Sequence, residues 1–431
     1  MGKNLTDEFI AYLKKKEKRI TKTILDRARL CLLDYIGVTH AGAYANRDIF
    51  NEKYSGDCSL IGLDSKADMK TAAMINAFNA HTAELDDGHR RGMIHLGAVI
   101  VSAVTAAADR YGLDMPDISK GIIMGYEAAV RAAMAIQPSH KKKGFHTTGT
   151  CGAVGAAVGI AFSRGYNEKQ LKSTISAAAT SAAGLLEIQE DDSELKPYNA
   201  AHAAMAGAAA AELGVLGLPG PDDILAGARG MFRLLADEVN AERMVEDTDY
   251  FEIEKIYVKP YAACRHCHSA MEAAIYLKNE YDLPPEDIKS IDIYTYKLAI
   301  RGHDHKEIKG VSSAKLSMPY SVAAAYILGS GGLEAFSSDK LERADINALI
   351  NKINIYEKDE FNNVKNGERI AEVVMTAKDG SAQKKRVDYA KGDPENSMTE
   401  EDIIDKFKML MDRSGRSDKT ESTLNEILYE R

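Results

Sequence analysis

The stretch GAVGAAVGIAFSRG, residues 152–165, decides the fold class of this chain. Its residues up to Ser163 are small or apolar, and they contain no β-branched run and no charge. Alanine is the best helix former, and small residues let helix axes approach closely. A helix without a charged face needs other helices around it, because none of its sides suits water. The stretch therefore predicts a central helix of an all-helical domain.

The same pattern recurs on both sides of this stretch. It is found in AVIVSAVTAAADRYG (98–112), GIIMGYEAAVRAAMAI (121–136) and AAHAAMAGAAAAELGVLG (200–217). These segments also combine alanine and glycine, with few β-branched runs. The sequence therefore predicts one large all-helical domain over residues 1–255.

The character of the chain changes near residue 250. A short strand is predicted in EKIYVKP (254–260), and IKSIDIYTYKLAI (288–300) alternates apolar and polar residues as strands do. The alternation recurs at 350–360, at 369–380 and from 382 onward, and a Lys-Asp-Gly-Ser turn joins the last two segments as a hairpin.

A smaller α+β domain is therefore predicted over residues 256–397. A final helix over 398–431, capped by Ser397 or Thr399, is expected to return to the first domain. The predicted fold class is mainly α, with a large helical domain and a smaller α+β domain.

Composition excludes several classes of partner. The chain has 431 residues and a formal net charge of -9, without a long basic run, which argues against nucleic acid and against an anionic membrane surface. No apolar run reaches the roughly 20 residues of a membrane span. Five cysteines are too few for a disulfide scaffold, and their odd number suits a reducing compartment. A cytoplasmic protein is the expectation.

Titratable side chains interrupt the helical pattern in four stretches. These are AELDDGHRRGMIHLGAV (83–99), KKKGFHTTGTCGAVGAA (141–157), QEDDSELKPYNAAHAA (189–204) and KPYAACRHCHSAMEAA (259–274). Titratable groups within apolar surroundings are typical of functional sites.

In this order, and together with CLLDYIGVTHAG (31–42) and SSAKLSMPYSVAAAYILG (312–329), the four stretches resemble the MmgE/PrpD family over nearly the whole chain. The resemblance implies a helical main domain, a smaller α+β lid domain and an active site in the cleft between them. It also implies a homodimer, catalysis without a metal or organic cofactor, and a small di- or tricarboxylate substrate.

The family's reactions share one difficult step, the handling of a carbanion next to a carboxylate, which requires a base, an acid and groups that stabilise growing negative charge. Dehydration of a citrate or 2-methylcitrate analogue is the leading expectation. Epimerisation of a small dicarboxylate such as iminodisuccinate is the alternative. Decarboxylation of the cis-aconitate type and a non-catalytic ligand-binding role are less favoured.

The resemblance carries functional roles onto particular residues. The residues that it implies to be catalytic are His95, His146, Lys196 and Tyr320. The residues that it implies to bind substrate are Asp86, Asp87, His89, Arg90, Thr147, Thr148, Lys259, Cys264, Arg265 and His268. No metal ligand is implied.

The implied roles differ in kind. His95 is an acid, a base or a carboxylate ligand, and Lys196 is a charge clamp or a base. His146 lies at a helix N-terminus that suits a carboxylate. Arg265 fits a carboxylate fork, and Tyr320 is a hydrogen-bond or proton donor. Of the adjacent Asp86 and Asp87, one is expected to face the cleft and to orient His95 or Arg90.

Three positions depart from the family pattern. Gly88 stands where the family often has threonine, and Leu96 replaces a proline. Cys264 stands where cis-aconitate decarboxylase carries an active-site histidine, which disfavours decarboxylation.

The remaining histidines and a possible zinc site have simpler interpretations. The histidines assigned to surface or satisfied core positions are His40, His81, His140 and His202, and those assigned to a solvated loop are His303 and His305. The cluster of Cys264, Cys267 and two histidines contains zinc-type ligands, but no second ligand pair of that spacing exists in the chain, so zinc is not expected.

Overall fold

A computed structural model describes residues 4–190, 193–362, 364 and 367–429. The α-helices, in chain order, are α1 (Leu5–Glu17), α2 (Lys22–Ala45), α3 (Met69–Thr82), α4 (Gly97–Tyr111), α5 (Met115–Ile136), α6 (Ser139–Lys142), α7 (Thr147–Ser163), α8 (Glu168–Thr180), α9 (Lys196–Gly214), α10 (Met231–Leu235), α11 (Glu242–Val245), α12 (His268–Tyr281), α13 (Lys297–Ile300), α14 (Val311–Leu316), α15 (Met318–Leu328), α16 (Ser338–Leu341), α17 (Ala344–Ile350), α18 (Glu400–Arg413) and α19 (Thr420–Leu424). The strands are β1 (Cys58–Leu60), β2 (Ser65–Ala67), β3 (Ile288–Thr295), β4 (Ile353–Glu357), β5 (Ala371–Ala377) and β6 (Ala382–Val387). The predicted mainly α class is confirmed.

The chain forms two compact units. Within the described residues, the helical unit comprises 4–190, 195–257 and 399–429, and the α+β unit comprises 193–194 and 258–398. No helix in these ranges is long and apolar enough to cross a membrane.

Small residues bring the central helices of the helical unit into close contact. Every residue of α7 is buried. A Cβ atom on Gly155 would lie 2.6 Å from the Cβ of Ala129 in α5, and one on Gly207 in α9 would lie 2.4 Å from the Cβ of Ala156. Real Cβ atoms do not approach so closely, so glycine at these positions sets the spacing of α5, α7 and α9.

A short hairpin interrupts the helical unit and corrects the expectation of an all-helical domain. Strands β1 and β2 pair antiparallel from Cys58 opposite Ala67 to Leu60 opposite Ser65. Each strand has three residues, which is too short for the alternation of side chains to be visible in the sequence.

The C-terminal helix α18 packs against α2 within the helical unit. Lys406 Nζ lies 2.7 Å from Asp34 Oδ1 in the core. A Cβ on Gly37 would lie 3.1 Å from Phe407, so the helices approach closely at this glycine. Thr399 caps α18 by accepting a hydrogen bond from the Asp402 N–H, as the sequence predicts.

A four-stranded sheet with the order β4-β3-β5-β6 forms the centre of the α+β unit. Strand β3 is parallel to β4 and antiparallel to β5, which is antiparallel to β6. The predicted β5–β6 hairpin is confirmed, with Gly380 at φ +90° in its turn. Helix α15 ends before Gly329, which has φ +66°.

One predicted strand is longer than the observed strand, and another does not form. Strand β3 ends at Thr295, and the remainder of the predicted strand forms α13. The segment 254–260 forms no strand; Tyr257 makes only an isolated antiparallel bridge to Gly88.

Candidate active site

Three helices of the helical unit begin at predicted site residues that lie close together. His95 precedes α4, His146 is the N-cap of α7, and Lys196 is the first residue of α9. The His95 N–H donates to Thr148 Oγ1 at 3.1 Å, which joins the start of α4 to the first turn of α7. A helix N-terminus carries partial positive charge, so the arrangement suits an anion.

Asp87 holds the start of α4. Its Oδ1 accepts hydrogen bonds from the N–H groups of Gly97 at 2.7 Å and Leu96 at 3.3 Å, and its Oδ2 accepts one from the Tyr126 hydroxyl at 2.6 Å. A proline at position 96 would lack one of these donors, so the departure from the family pattern supplies a contact here. Burial raises the pKa of Asp87 to about 6. Both carboxylate oxygens are engaged, so substrate binding by Asp87 stays a prediction that requires these bonds to change.

Asp86 joins two histidines. Its Oδ2 lies 2.8 Å from Nδ1 of His81 and 3.2 Å from Nδ1 of His95. The His95 Nδ1–H also faces the Asp87 carbonyl at 3.1 Å. These acceptors hold the proton of each neutral ring on Nδ1 and place the lone pair on Nε2, which is the tautomer that a general base needs. The predicted contact between the acidic pair and His95 is present.

His81 joins this cluster, although the sequence assigns it to a surface or satisfied core position. It is fully buried at the end of α3, its ring centroid lies 4.8 Å from that of His95, and its Nε2 has no hydrogen-bond partner among the described residues. The available signal was its position five residues before Asp86, at the end of a predicted helix. That signal is weak because most helical histidines are structural.

His146 lies in the same cluster. Its ring centroid is 6.2 Å from that of His81, and Nδ1 is buried without a partner in the part of the chain that the structure describes. Burial holds the pKa of His146 well below its usual range, and any positive charge on His81, Lys196 or His95 would lower it further. The imidazole is therefore neutral at physiological pH.

Lys196 forms an ion pair with Glu84, in which the two side chains are 15% and 10% exposed. Glu84 follows α3 and has φ +55°, so its backbone adopts a conformation that is uncommon for residues other than glycine. Glu84 belongs to the first polar stretch of the sequence, where no role is predicted for it.

The threonines of α7 are partly engaged. Thr147 Oγ1 accepts a hydrogen bond from Gln137, and Thr150 pairs with Nε2 of His140 at 2.9 Å. Thr148 Oγ1 accepts the His95 N–H, and its hydroxyl proton can still be donated to a carboxylate.

His89 belongs to a buried charge network. Its Nε2 lies 3.2 Å from Glu252, and Glu252 lies 3.2 Å from Arg131. Nδ1 of His89 accepts the Gly92 N–H at 3.1 Å, so both ring nitrogens of His89 have partners inside the protein. Substrate contacts by His89 and by the partly buried Arg90 stay predictions.

Glycine is required at position 88 because the Tyr257 side chain leaves no space for a Cβ atom. A Cβ at this position would lie 2.3 Å from the Tyr257 hydroxyl oxygen and 2.9 Å from the Ile94 carbonyl oxygen. The backbones of Gly88 and Tyr257 exchange hydrogen bonds of 3.1 and 2.8 Å. The missing threonine hydroxyl of the family pattern is thus replaced by a close approach of Tyr257.

In the α+β unit, Arg265 is held by its own surroundings. Its guanidinium donates to the carbonyls of Lys391 and Ala390, lies 2.9 Å from Asp393, and lies 2.7 Å from Nδ1 of His268. Its role as a carboxylate fork stays a prediction that would need some of these contacts to be exchanged for substrate.

His268 uses both ring nitrogens. Nδ1 faces Arg265 and Nε2 donates to the Ala263 carbonyl at 3.1 Å. Burial and the charge of Arg265 hold its pKa well below the usual range. The hydrogen bonds of the neutral ring are thus satisfied inside the protein, which does not favour a role as a zinc ligand.

Three further predicted residues lie in the α+β unit. Lys259 is fully buried. The buried Tyr320 hydroxyl donates to the Ala335 carbonyl at 2.7 Å, so its role as a donor to substrate stays a prediction that needs this bond to break. Cys264 Sγ lies 3.1 Å from Nε2 of His303.

One group of described residues has the donor set of a metal site. The ligand atoms of His81, Asp86 and His95 lie within 4.8 Å of one another. Two imidazoles and a carboxylate suit a divalent transition metal. The same atoms also form the hydrogen bonds described above, and those bonds satisfy the carboxylate without an ion.

The fold and the site define a class: a two-unit, mainly α-helical protein in which histidines and a lysine gather at helix N-termini. The MmgE/PrpD N-terminal domain matches residues 8–244 and the MmgE/PrpD C-terminal domain matches residues 261–428. The chain belongs to the MmgE/PrpD family, which confirms the resemblance.

Several proteins are similar to this chain along most of their length. Cis-aconitate decarboxylase of Aspergillus terreus is 26% identical over 424 residues, covering 91% of this chain and 86% of that protein. A cis-aconitate decarboxylase-like protein of Aspergillus oryzae is 24% identical over 458 residues, covering 99% and 94%. Cis-aconitate decarboxylase of Mus musculus is 22% identical over 451 residues, covering 99% and 91%.

Proposed function

We propose that this protein is a cofactor-independent lyase of the dehydratase type. Its substrate is a small hydroxy-polycarboxylate such as a citrate or 2-methylcitrate analogue, and its reaction passes through an enediolate-like carbanion. Membership of a family that includes lyases supports an enzyme of this kind. The observation that carries the proposal is the cluster at the N-termini of three helices, in which the His81 ring lies 4.8 Å from that of His95 and 6.2 Å from that of His146, and Lys196 acts electrostatically on His146.

His95 is the proposed base. Asp86 and the Asp87 carbonyl face its Nδ1, which orients the lone pair of Nε2 and stabilises the imidazolium that forms when a proton is taken. Its side chain is 17% exposed, more than that of the fully buried His81. In this account, His81 positions Asp86 and does not touch substrate.

Lys196 and the helix N-termini are the proposed stabilisers of negative charge. The Glu84 carboxylate holds the Lys196 ammonium group, an arrangement that suits a charge clamp more than a base. The start of α7 contributes the Thr148 hydroxyl and the positive end of the helix dipole to a substrate carboxylate. The neutral His146 ring adds a hydrogen-bonding group without adding a second fixed charge.

A decarboxylase acting on a substrate of the cis-aconitate type is the second candidate. It is favoured by the similar proteins, which carry that name at 22–26% identity. The same clamp would stabilise the carbanion left by the loss of carbon dioxide. Cys264 stands at the position where cis-aconitate decarboxylase carries an active-site histidine, which ranks decarboxylation below dehydration.

Proton NMR of the purified protein with citrate, 2-methylcitrate or cis-aconitate in deuterated buffer tests the proposal. We expect a hydroxy acid to lose water and to give an unsaturated acid. Release of carbon dioxide from cis-aconitate, without dehydration, would replace the leading proposal with the second. Exchange of a C–H proton without loss of either group would indicate an epimerase and contradict both.

A pair of matched variants assigns the reaction to this site. His95→Gln should reduce turnover at least about 100-fold, as expected for removal of a general base. His202→Gln is the control, because His202 lies on α9 beside Tyr198, with ring centroids 6.2 Å apart, outside the cluster. Equal turnover in the two variants would remove His95 from the mechanism.

A homodimer and a cytoplasmic location stay predictions. Light scattering of the purified protein measures whether it is a dimer.

A further inference from the structure

Cys264 differs from the other four cysteines of the chain. It is partly exposed, whereas Cys31, Cys58, Cys151 and Cys267 are buried. Burial raises the pKa of Cys31 and Cys151 to about 12 and that of Cys58 to about 11, which makes these three thiols inert. Cys264 is therefore the cysteine that a soluble, thiolate-specific reagent can reach.

A histidine is placed to activate the Cys264 thiol. Nε2 of His303 lies 3.1 Å from Sγ, and Nδ1 of the same ring lies 2.9 Å from the Arg301 carbonyl oxygen. A carbonyl can only accept a hydrogen bond, so it fixes the proton of the neutral ring on Nδ1. Nε2 is then the acceptor for the thiol proton. Nucleophile, base and orienting group thus follow the arrangement found in enzymes with an activated cysteine.

Backbone hydrogen bonds hold Cys264 four residues before α12. The Cys264 N–H donates to the Lys315 carbonyl at 2.8 Å, and the Cys264 carbonyl accepts the Cys267 N–H at 2.9 Å. The turn Arg265–Cys267 continues directly into α12. Hydrogen bonds of both its N–H and its carbonyl group therefore hold the backbone of Cys264 in place.

We propose that Cys264 and His303 form a covalent modification site for electron-poor alkenes, that is, α,β-unsaturated carbonyl compounds. The thiol proton moves to Nε2 of His303, and the sulfur adds to the β carbon of the alkene. The electron pair of the double bond moves to the α carbon, which takes the proton back from Nε2. A C–S bond and a C–H bond form, and no leaving group or oxidant is required.

The class of reagent follows from what Cys264 and His303 each supply. Addition across a double bond consumes one nucleophile and one proton, and Cys264 and His303 supply both from adjacent atoms. The inference does not depend on the proposed lyase activity. It assigns a reaction to the motif Cys264–His268 that the sequence analysis considered for zinc.

Labelling with N-ethylmaleimide at neutral pH tests the proposal on the full chain. Mass spectrometry of the intact protein and of its peptides should find one adduct, on Cys264. His303→Gln keeps a polar side chain but removes the base, and should slow the addition about tenfold or more. His305→Gln is the matched control: His305 lies in the same loop, its ring nitrogen faces Ser313, and its rate should equal that of wild type.

Circular dichroism and thermal unfolding identify variants that fold as wild type does. Three results would overturn the proposal: addition to another cysteine first, equal rates for folded His303→Gln and wild type, or equal slowing in both variants. A protein that lacks lyase activity but shows selective, His303-dependent labelling would contradict the proposed function and leave this site intact.

Discussion

The carboxylate oxygen Oδ2 of Asp86 lies 2.8 Å from Nδ1 of His81, and both residues are buried. The same oxygen lies 3.2 Å from Nδ1 of His95. His81 therefore helps to fix the carboxylate that orients the proposed base, although it is one step removed from the substrate. Residues that contact a catalytic group without contacting the substrate tune the groups that they orient.

Replacing His81 should lower turnover through this carboxylate. In His81→Ala, Asp86 loses one of its two imidazole partners, and we expect kcat to fall about 10- to 100-fold with little change in KM. His81→Asn keeps an N–H donor near the position of Nδ1 and should restore most of kcat. Steady-state kinetics of the two variants are the measurement. Unchanged kcat in a folded His81→Ala protein would remove His81 from the account.

The Lys196–Glu84 pair should separate catalysis from stability. Because both side chains are largely buried, Lys196→Ala removes the ammonium group that faces the Glu84 carboxylate and should cost about 3 kcal/mol of unfolding free energy. The double variant Lys196→Met with Glu84→Gln should stay within about 1 kcal/mol of wild type. Both proteins should lack turnover. A double variant with near-normal turnover would show that the clamp is dispensable.

His140 should make the protein less stable in mild acid. Burial, with the nearby charge of Lys143, lowers its pKa from 6.5 to about 4. Below pH 6.5 His140 binds a proton in the unfolded chain but not in the folded chain. The free energy of unfolding therefore falls as the pH drops from about 6.5 towards 4. At pH 5 this one group should cost about 2 kcal/mol.

Urea unfolding of wild type and His140→Gln at pH 7 and pH 5 measures the contribution of His140. Glutamine can keep the hydrogen bond to Thr150 but cannot be protonated. The variant should lose less stability than wild type between these pH values. Equal losses in the two proteins would contradict the prediction.

Removal of metal ions should leave turnover unchanged. The hydrogen bonds of Asp86 to His81 and His95 satisfy this group without an ion. Dialysis against a chelator followed by elemental analysis is the measurement. One equivalent of metal retained per chain, or turnover lost with the metal and restored by adding it back, would show that the group binds a catalytic ion.

The sequence predicts the helical framework well because helix propensity and packing both act on local composition. The same small residues that favour helices at 152–165 and 200–217 also allow Gly155 and Gly207 to touch neighbouring helices. Gly37 likewise lets α2 approach α18, because a Cβ at this position would lie 3.1 Å from Phe407. The three-residue strands β1 and β2 lie below the length at which a period can be recognised.

The site is less accessible to prediction because its contacts join distant segments. His81 resembles any buried helical histidine until the fold places it against Asp86 and His95. Likewise, His303 lies 39 residues from Cys264, and the sequence favours a solvated loop there. The family resemblance supplies the predicted residues, but it does not reveal that Asp87 caps α4.

The central claim is that His95, His146 and Lys196 bind and stabilise a small polycarboxylate at the meeting point of α4, α7 and α9. A crystal structure of the protein with a bound tricarboxylate inhibitor tests this most directly. We predict carboxylate oxygens within hydrogen-bond distance of Lys196 Nζ and of the first turn of α7, with the His95 ring facing the carbon chain of the ligand. A tricarboxylate bound away from these three residues, with their side chains still turned to their present partners, would contradict the account.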